Sequence, residues 1–355
     1  MRYRKATLGV ASLVLFAVVA AAAAGQSATR PAAAGGGSPR LLVPHESWPC
    51  GLAGGIPSPE TGTLLFTAVM PLERVADIGR TQYGRRQVVV TQQGTITGAR
   101  LSGSVMTGGL DFELTLANGV IEVEQIFVLR MGDGTYVYAR TAGTGADAND
   151  VRIVMDFEAP NASDVAWLNT GTYVARRVLD AALKTMTLRV YAVSAPLAAA
   201  NPDNAIRITK PAGVPPQSWD YRRAAPTEKQ GAQLITERVT LSPSQSVGAS
   251  KRGNRNIIPI TGGELSGRIT GRVLPGGADY QNLSNPATID ARYLWQTTDG
   301  EIIIVRNGGA FGSLVPTFEV RVDSPYAWLN NGLYLSSNPG MSPGGVALTF
   351  YDSAR

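Results

Sequence analysis

Asp290 and Arg292 stand two residues apart in the run Ala287–Gln296, and Arg306 follows beyond the segment Thr298-Asp299-Gly300. In an extended strand residues two apart share a face. A tight turn at Asp299-Gly300 would bring Arg306 onto the neighbouring strand. One carboxylate with one or two guanidiniums on a face can grip a carboxylate or a hydroxylated ligand by charge-assisted hydrogen bonds. The same residues equally suit a cross-strand ion pair on a solvated outer wall. Asp279 and Tyr280 follow the pair Gly276-Gly277. A turn aspartate either bonds its own backbone or, on a loop, serves a site. Tyr293 and Trp328 add aromatic surface, with Trp328 read either as packing or as a lid over a pocket. The candidate ligand-binding set is therefore Asp279, Tyr280, Asp290, Arg292, Tyr293, Arg306 and Trp328. Asp279 and Asp290 are the candidate general bases.

Composition removes several chemistries. The chain of 355 residues has one His, His45, and one Cys, Cys50. Zinc, haem and iron–sulfur sites need more of these ligands, and no Ser-His-Asp or Cys-His set can form away from that short stretch. A reactive Cys50 with His45 as base is the sharp reading of His45–Cys50; docking of Trp48 is the bland one. No calcium loop of the EF type and no phosphate loop appears, so no cofactor is expected. The net charge of +5 is modest and the basic residues are scattered, which argues against a nucleic-acid partner.

The elements that must position these residues read as strands. From Thr61 onward, runs rich in Val, Ile, Tyr, Phe and Thr alternate with Gly, Asn and Asp clusters. Eight fall in Leu64–Val193 and eight in Gln233–Asp352. The clearest alternation is Glu264–Leu274, read as one strand with Leu265, Ile269 and Val273 on its apolar face. Motifs recur in order. Gly108-Gly109-Leu110-Asp111 answers Gly276-Gly277-Ala278-Asp279, Asp133-Gly134 answers Asp299-Gly300, and Trp167-Leu168-Asn169 answers Trp328-Leu329-Asn330. The expectation is all-β: two tandem eight-stranded antiparallel up-and-down β-barrels forming an internal pseudo-dimer. The first spans 62–194 and the second 232–355, joined by a Pro/Ala-rich linker over 195–231. Residues 1–28 carry a basic start, an apolar run and small residues, as a cleaved export signal does, with an uncleaved N-terminal anchor as the alternative, and 29–61 read as a flexible Ala/Gly/Pro tether. The expected localisation is secreted or periplasmic. The strands lack an outer apolar band with aromatic girdles, so a membrane-embedded barrel is not expected.

The second repeat resembles a bacterial and fungal family of small β-barrel proteins, domain-of-unknown-function family 3237. The resemblance rests on Arg255, Thr261-Gly262-Gly263, Leu274–Tyr280, Asp290-Ala291-Arg292-Tyr293, Thr298-Asp299-Gly300, Asn307-Gly308-Gly309 and Tyr326–Asn330. The first repeat looks like a divergent member, with Glu124-Gln125-Ile126-Phe127 where the second has Asp-Ala-Arg-Tyr and Phe112 where it has Tyr280. The resemblance implies a fold and no shared activity. Three functions compete. The leading one is a small-molecule-binding barrel whose polar or mixed ligand sits in the second barrel. The others are a lyase, isomerase or cyclase using an Asp base and an Arg, and a structural envelope protein. A homo-oligomer is compatible with each.

Overall fold

The structure, a computed structural model, describes residues 41–43, 56–145, 148, 150–194 and 221–354. The segment 1–28 expected to be an export signal, most of 29–61, His45, Cys50 and most of 195–231 lie outside these residues. Strand β1 (Leu41–Val43) precedes the first barrel, which is built from ten strand segments. They are β2 (Thr63–Arg80), β3 (Arg85–Thr91), β4 (Gly94–Thr97), β5 (Gly103–Val105), β6 (Leu110–Thr115), β7 (Ile121–Met131), β8 (Tyr136–Gly145), β9 (Val151–Glu158), β10 (Thr172–Asp180) and β11 (Thr185–Val193). Segments β3 and β4 share one wall position, both pairing with the long β2, and β5 and β6 share the next, both pairing with β7. Eight antiparallel wall positions result, and β11 returns to β2 to close the barrel. Closure leaves no unpaired edge.

Strand β12 (Tyr221–Arg223) pairs with β1. The second sheet then follows the same course. It contains β13 (Lys229–Leu241), β14 (Gln245–Ser250), β15 (Gly253–Gly267), β16 (Gly271–Val273), β17 (Ala278–Asn282), β18 (Thr288–Thr297), β19 (Ile302–Ala310), β20 (Val315–Glu319), β21 (Tyr334–Ser336), β22 (Gly340–Ser342) and β23 (Gly345–Ala354). It leaves a seam. In the first barrel Tyr173 pairs with Met155 to join β10 to β9. The corresponding place beside Tyr334 holds Pro316, which has no N–H to give a ladder. One bond, from Ser336 N to Leu314 O at 3.1 Å, crosses between β21 and the start of β20.

Each barrel is packed around its own apolar core. Phe66, Phe127 and Phe157 lie in the first; Trp295, Phe318 and Phe350 lie in the second. No helix of the described residues is long and apolar enough to cross a membrane. Two sequence expectations are corrected. Glu264–Leu274 is a hairpin, β15 turning into β16, not one strand. Leu265, Ile269 and Val273 are buried all the same, so a tight turn between Gly267 (φ 108°) and Gly271 mimics continuous alternation. Asp279 is a strand residue of β17, not a turn residue, because the chain resumes pairing with β15 immediately after Gly277.

Candidate functional site

The two barrels meet along their walls, and the contacts come in matched pairs. Arg86 of the first barrel donates to Glu319 of the second at 2.8 Å, and Arg255 of the second donates to Glu158 of the first at 2.7 Å. Thr81 and Ser250 add their hydroxyls to the same two carboxylates, each at 2.7 Å. Val322 N donates to Arg80 O, and Asn161 N to Ala249 O. Two apolar lobes exchange in the same way. One holds Ile78, Val88, Leu110 and Phe112 against Leu294 and Ile304; the other holds Val247, Ile257, Ala278 and Tyr280 against Val128 and Tyr138. Reciprocal contacts of this kind are those of an isologous dimer interface.

Between the lobes lies a charged cluster. Arg292 donates to Glu124 across the interface at 2.6 Å and to Asp290 on its own strand at 3.1 Å. Arg306 reaches Asp290 at 3.1 Å, and Arg140 of the first barrel reaches it at 3.3 Å. Burial raises the cost of charge on Asp290, but Arg292, Arg306 and Arg140 outweigh it and hold the carboxyl far below the usual range. Burial and the crowding of Arg292 pull Arg306 down to about 10, so it stays charged at neutral pH. Arg140, Arg292 and Arg306 thus gather round Asp290, and Arg292 also reaches Glu124. The Nε of Arg140 has no partner among the described residues, and its side chain is only 8% exposed.

A cavity of about 450 Å³ opens beside this cluster. Arg140, Arg255, Arg306, Tyr280 and Asp290 line it, and Arg222 and Arg223 of β12 form part of its rim. Arg255 is paired with Glu158 and Arg222 with Glu228, while Arg140 and Arg306 share Asp290. Tyr138 lies against Tyr280, ring centroids 5.5 Å apart, under the Arg255 guanidinium. The Tyr138 hydroxyl is buried without a partner among the described residues, and burial pushes its pKa up to about 12.

The sequence candidates separate into three places. Tyr280, Asp290 and Arg306 line the cavity, with Arg292 directly behind Asp290. Asp279 and Tyr293 point the other way, into the second barrel. Burial pushes Asp279 up to about 6. Tyr293 donates to Glu237 at 2.5 Å, and Trp295 donates to the same carboxyl at 2.8 Å. Trp328 sits at the barrel end under the Arg268 guanidinium, 4.0 Å from the ring centroid. A single pocket built from all seven residues is therefore not what forms: β18 presents Asp290 and Arg292 outward to the partner barrel and Tyr293 inward. Sequence reasoning passed over Arg140, which stands in the first barrel where Arg306 stands in the second, and over Glu237. Among the described residues no group of His, Cys, Asp and Glu is placed to hold a metal ion.

Residues 61–193 and 232–313, more than half of the chain, match the family described as protein of unknown function (DUF3237). The chain belongs to the DUF3237 family. It is 42% identical over 83 residues to the UPF0311 protein blr7842 of Bradyrhizobium diazoefficiens, a stretch covering 22% of this chain and 55% of that protein. It is 43% identical over 67 residues to the UPF0311 protein RPA1785 of Rhodopseudomonas palustris, covering 18% and 44%. The chain thus spans about half the length of the curated relatives it matches. Among solved structures, a β-barrel like protein from Acinetobacter baumannii AYE is 22% identical with a TM-score of 0.33, covering 38% of this chain and 95% of that one.

The recurring motifs of this DUF3237 chain have structural explanations. At the barrel contact Gly277 N donates to Gly108 O at 2.8 Å. A Cβ on Gly277 would lie 2.0 Å from the Arg292 carbonyl oxygen, and its φ of 76° suits glycine. In Trp-Leu-Asn, Leu168 and Leu329 plug the cores, while Asn169 clamps both backbone groups of Ala159 and Asn330 those of Val320. These motifs shape the barrels and join them; the cavity draws on residues outside them as well.

Proposed function

We infer that this protein is an exported binding protein that takes a small organic anion, of mixed polar and apolar character, in the cavity on the outer wall of its second barrel, which Arg140 of the first barrel completes. The observation that carries the reading is the gathering of guanidiniums at the cavity, where Arg140 and Arg306 line the wall beside Asp290 with Arg292 behind it, and where the Nε of Arg140 is buried without a partner among the described residues. A ligand carboxylate would accept from that Arg140 Nε in surroundings where charge-assisted bonds are strong. Tyr280 and the Tyr138 lobe offer apolar contact to the rest of such a ligand. An enzyme using Asp290 as general base is disfavoured, because a carboxyl held so far below its usual range is a weak base at neutral pH. Asp279, with the more suitable pKa of about 6, faces away from the cavity.

Thermal shift and calorimetric titration with a panel of aliphatic and aromatic monocarboxylates test this reading. At least one should raise the melting temperature of the wild type and lose its effect in Arg140→Gln. Asp290 keeps Arg292 and Arg306 in that variant, so it should fold. A panel without effect, or shifts equal in the two proteins, would count against the anion site. Export is tested separately by mass spectrometry of the mature N-terminus, expected between about residues 25 and 29.

A further inference from the structure

A row of three residues crosses the inner wall of each barrel at equivalent places. In the first barrel it is Asp111, Gln125 and Thr141, paired in register on β6, β7 and β8. Gln125 fills the middle. Its Nε2 donates to Asp111 Oδ2 at 2.6 Å, and its Oε1 accepts from Thr141 at 3.1 Å. Arg177 donates to the same Asp111 oxygen at 2.7 Å and supplies its counter-charge.

In the second barrel the row is Asp279, Ala291 and Asn307 on β17, β18 and β19. Ala291 lacks the carboxamide head of Gln125, and it keeps accessible surface although it packs toward the core. Among the described residues nothing replaces Arg177: β10 carries it and runs on to Asp180, whereas the equivalent β21 stops at Ser336. Asp279 Oδ2 accepts from Gln281 at 2.9 Å, and Asn307 Nδ2 donates to Ser336 at 3.0 Å. That leaves Asp279 Oδ1 and Asn307 Oδ1, both buried, without a partner among the described residues. Asn307 is 3% exposed. Asp111 also keeps one oxygen without a partner, so the contrast between the barrels lies in the missing counter-charge and the missing amide. With strands about 4.8 Å apart, Asp279 and Asn307 flank Ala291 at a separation of roughly 10 Å between backbones. A group with N–H donors on two sides would satisfy both oxygens.

We propose that the core of the second barrel binds a small organic cation, a primary ammonium or an amidinium, which donates to Asp279 Oδ1 and Asn307 Oδ1 over Ala291. The bound group would supply both things the first barrel provides from its own chain, the donor of Gln125 and the charge of Arg177. It is a site distinct from the outer-wall cavity, reached from the opposite face of β18. Above pH 6 Asp279 is largely ionised, since its pKa is pushed up to about 6, and a buried carboxylate without a cation is costly.

Acetamidinium and its neutral counterpart acetamide are the probes, titrated at pH 8 by calorimetry. The wild type should bind acetamidinium about tenfold more tightly than acetamide, the difference between a charge-assisted and a neutral hydrogen bond. Asp279→Asn should remove that preference. Ala291→Gln, which copies the first barrel, should abolish binding of both. A crystal soaked in acetamidinium should show the planar cation between Asp279 and Asn307. Equal binding of the two probes, no binding of either, binding that survives Ala291→Gln, or density for water alone at that place would each overturn the proposal.

Discussion

Arg86 and Arg255 occupy equivalent places on opposite sides of the barrel contact, each aimed at a glutamate of the other barrel. Arg292 has no such twin, because the first barrel carries Ile126 there. The contrast runs through the molecule. What recurs in both copies, including the arginine–glutamate bridges, the hydroxyls beside them and the Trp-Leu-Asn plugs, holds the barrels closed and together. What occurs once includes Arg292 and Tyr280 at the cavity, and Glu237 and Ala291 inside the second barrel; at the cavity they join the recurring pair Arg140 and Arg306. A fused duplication lets the two halves diverge in this way, since a change in one copy is not forced on the other as it is in a symmetric homodimer.

The largest expected effect tests the equivalence of the bridges. Glu319→Ala removes the carboxylate facing Arg86, whose side chain is fully buried, and should cost about 3–5 kcal/mol. Glu158→Ala should cost a comparable amount, measured by urea denaturation. A large loss in one variant with almost none in the other would mean that the two sides of the contact are not equivalent.

Glu237 sharpens the other half of the comparison, since the matching inward position of the first barrel holds Ala68. Burial pushes the Glu237 carboxyl from 4.5 up to about 7, against the pull of the Tyr293 and Trp295 donors. The folded state therefore binds this proton more tightly than the unfolded chain. The resulting stabilisation is fully present below pH 4.5 and is lost as the pH rises through 7. A shift of this size corresponds to about 3 kcal/mol. Glu237→Gln should flatten that part of the profile, seen as urea midpoints that no longer fall between pH 4.5 and 8 relative to wild type. An unchanged slope would show that Glu237 is not the group responsible.

Period-two runs and ordered motifs were enough to read two all-β repeats, because strand alternation and turn chemistry are local properties. Which face of a strand looks where was not local. Asp290 and Arg292 share a face by spacing, yet that face is covered by the other barrel, where Leu294 and Ile304 make the outer wall as apolar as a core. Alternation cannot distinguish an inside from a buried outside. The same limit hid the turn in Glu264–Leu274, since buried residues on both arms kept the parity of a single strand. Arg140 was within reach: the alignment that sets Asp133 on Asp299 also sets Arg140 on Arg306. Glu237 gave no signal, being a lone charge in an otherwise ordinary strand.

Arg292→Ile, which gives the second barrel the residue of the first, is expected to be milder than loss of a bridge. Asp290 retains Arg140 and Arg306, so the main loss is the charged hydrogen bond to Glu124, about 1.5–3 kcal/mol. The variant should also weaken binding of any carboxylate that binds wild type, because it removes one of the three guanidiniums gathered there. A variant that melts early and still binds the anion would separate the charge cluster from the site.

The smallest expected effect concerns the barrel ends, where the two copies agree most closely. Arg100 lies 4.1 Å from the ring centroid of Trp167, and Arg268 lies 4.0 Å from that of Trp328. Beneath each indole the tyrosine two residues after the following glycine donates to the tryptophan carbonyl, Tyr173 at 3.2 Å and Tyr334 at 3.0 Å. A guanidinium over a partly exposed indole is worth about 0.5–1 kcal/mol. Arg100→Ala and Arg268→Ala should each lower stability by that amount, and their effects should add, since the sites share no partners. If Trp328 were instead a lid over a ligand, Arg268→Ala would leave stability nearly unchanged and alter the affinity for acetamidinium or for a carboxylate. Equal, additive losses with unchanged affinities would place Trp328 with Trp167 among the features that shape the fold, and leave ligand recognition to the cavity arginines and to the row of Asp279, Ala291 and Asn307.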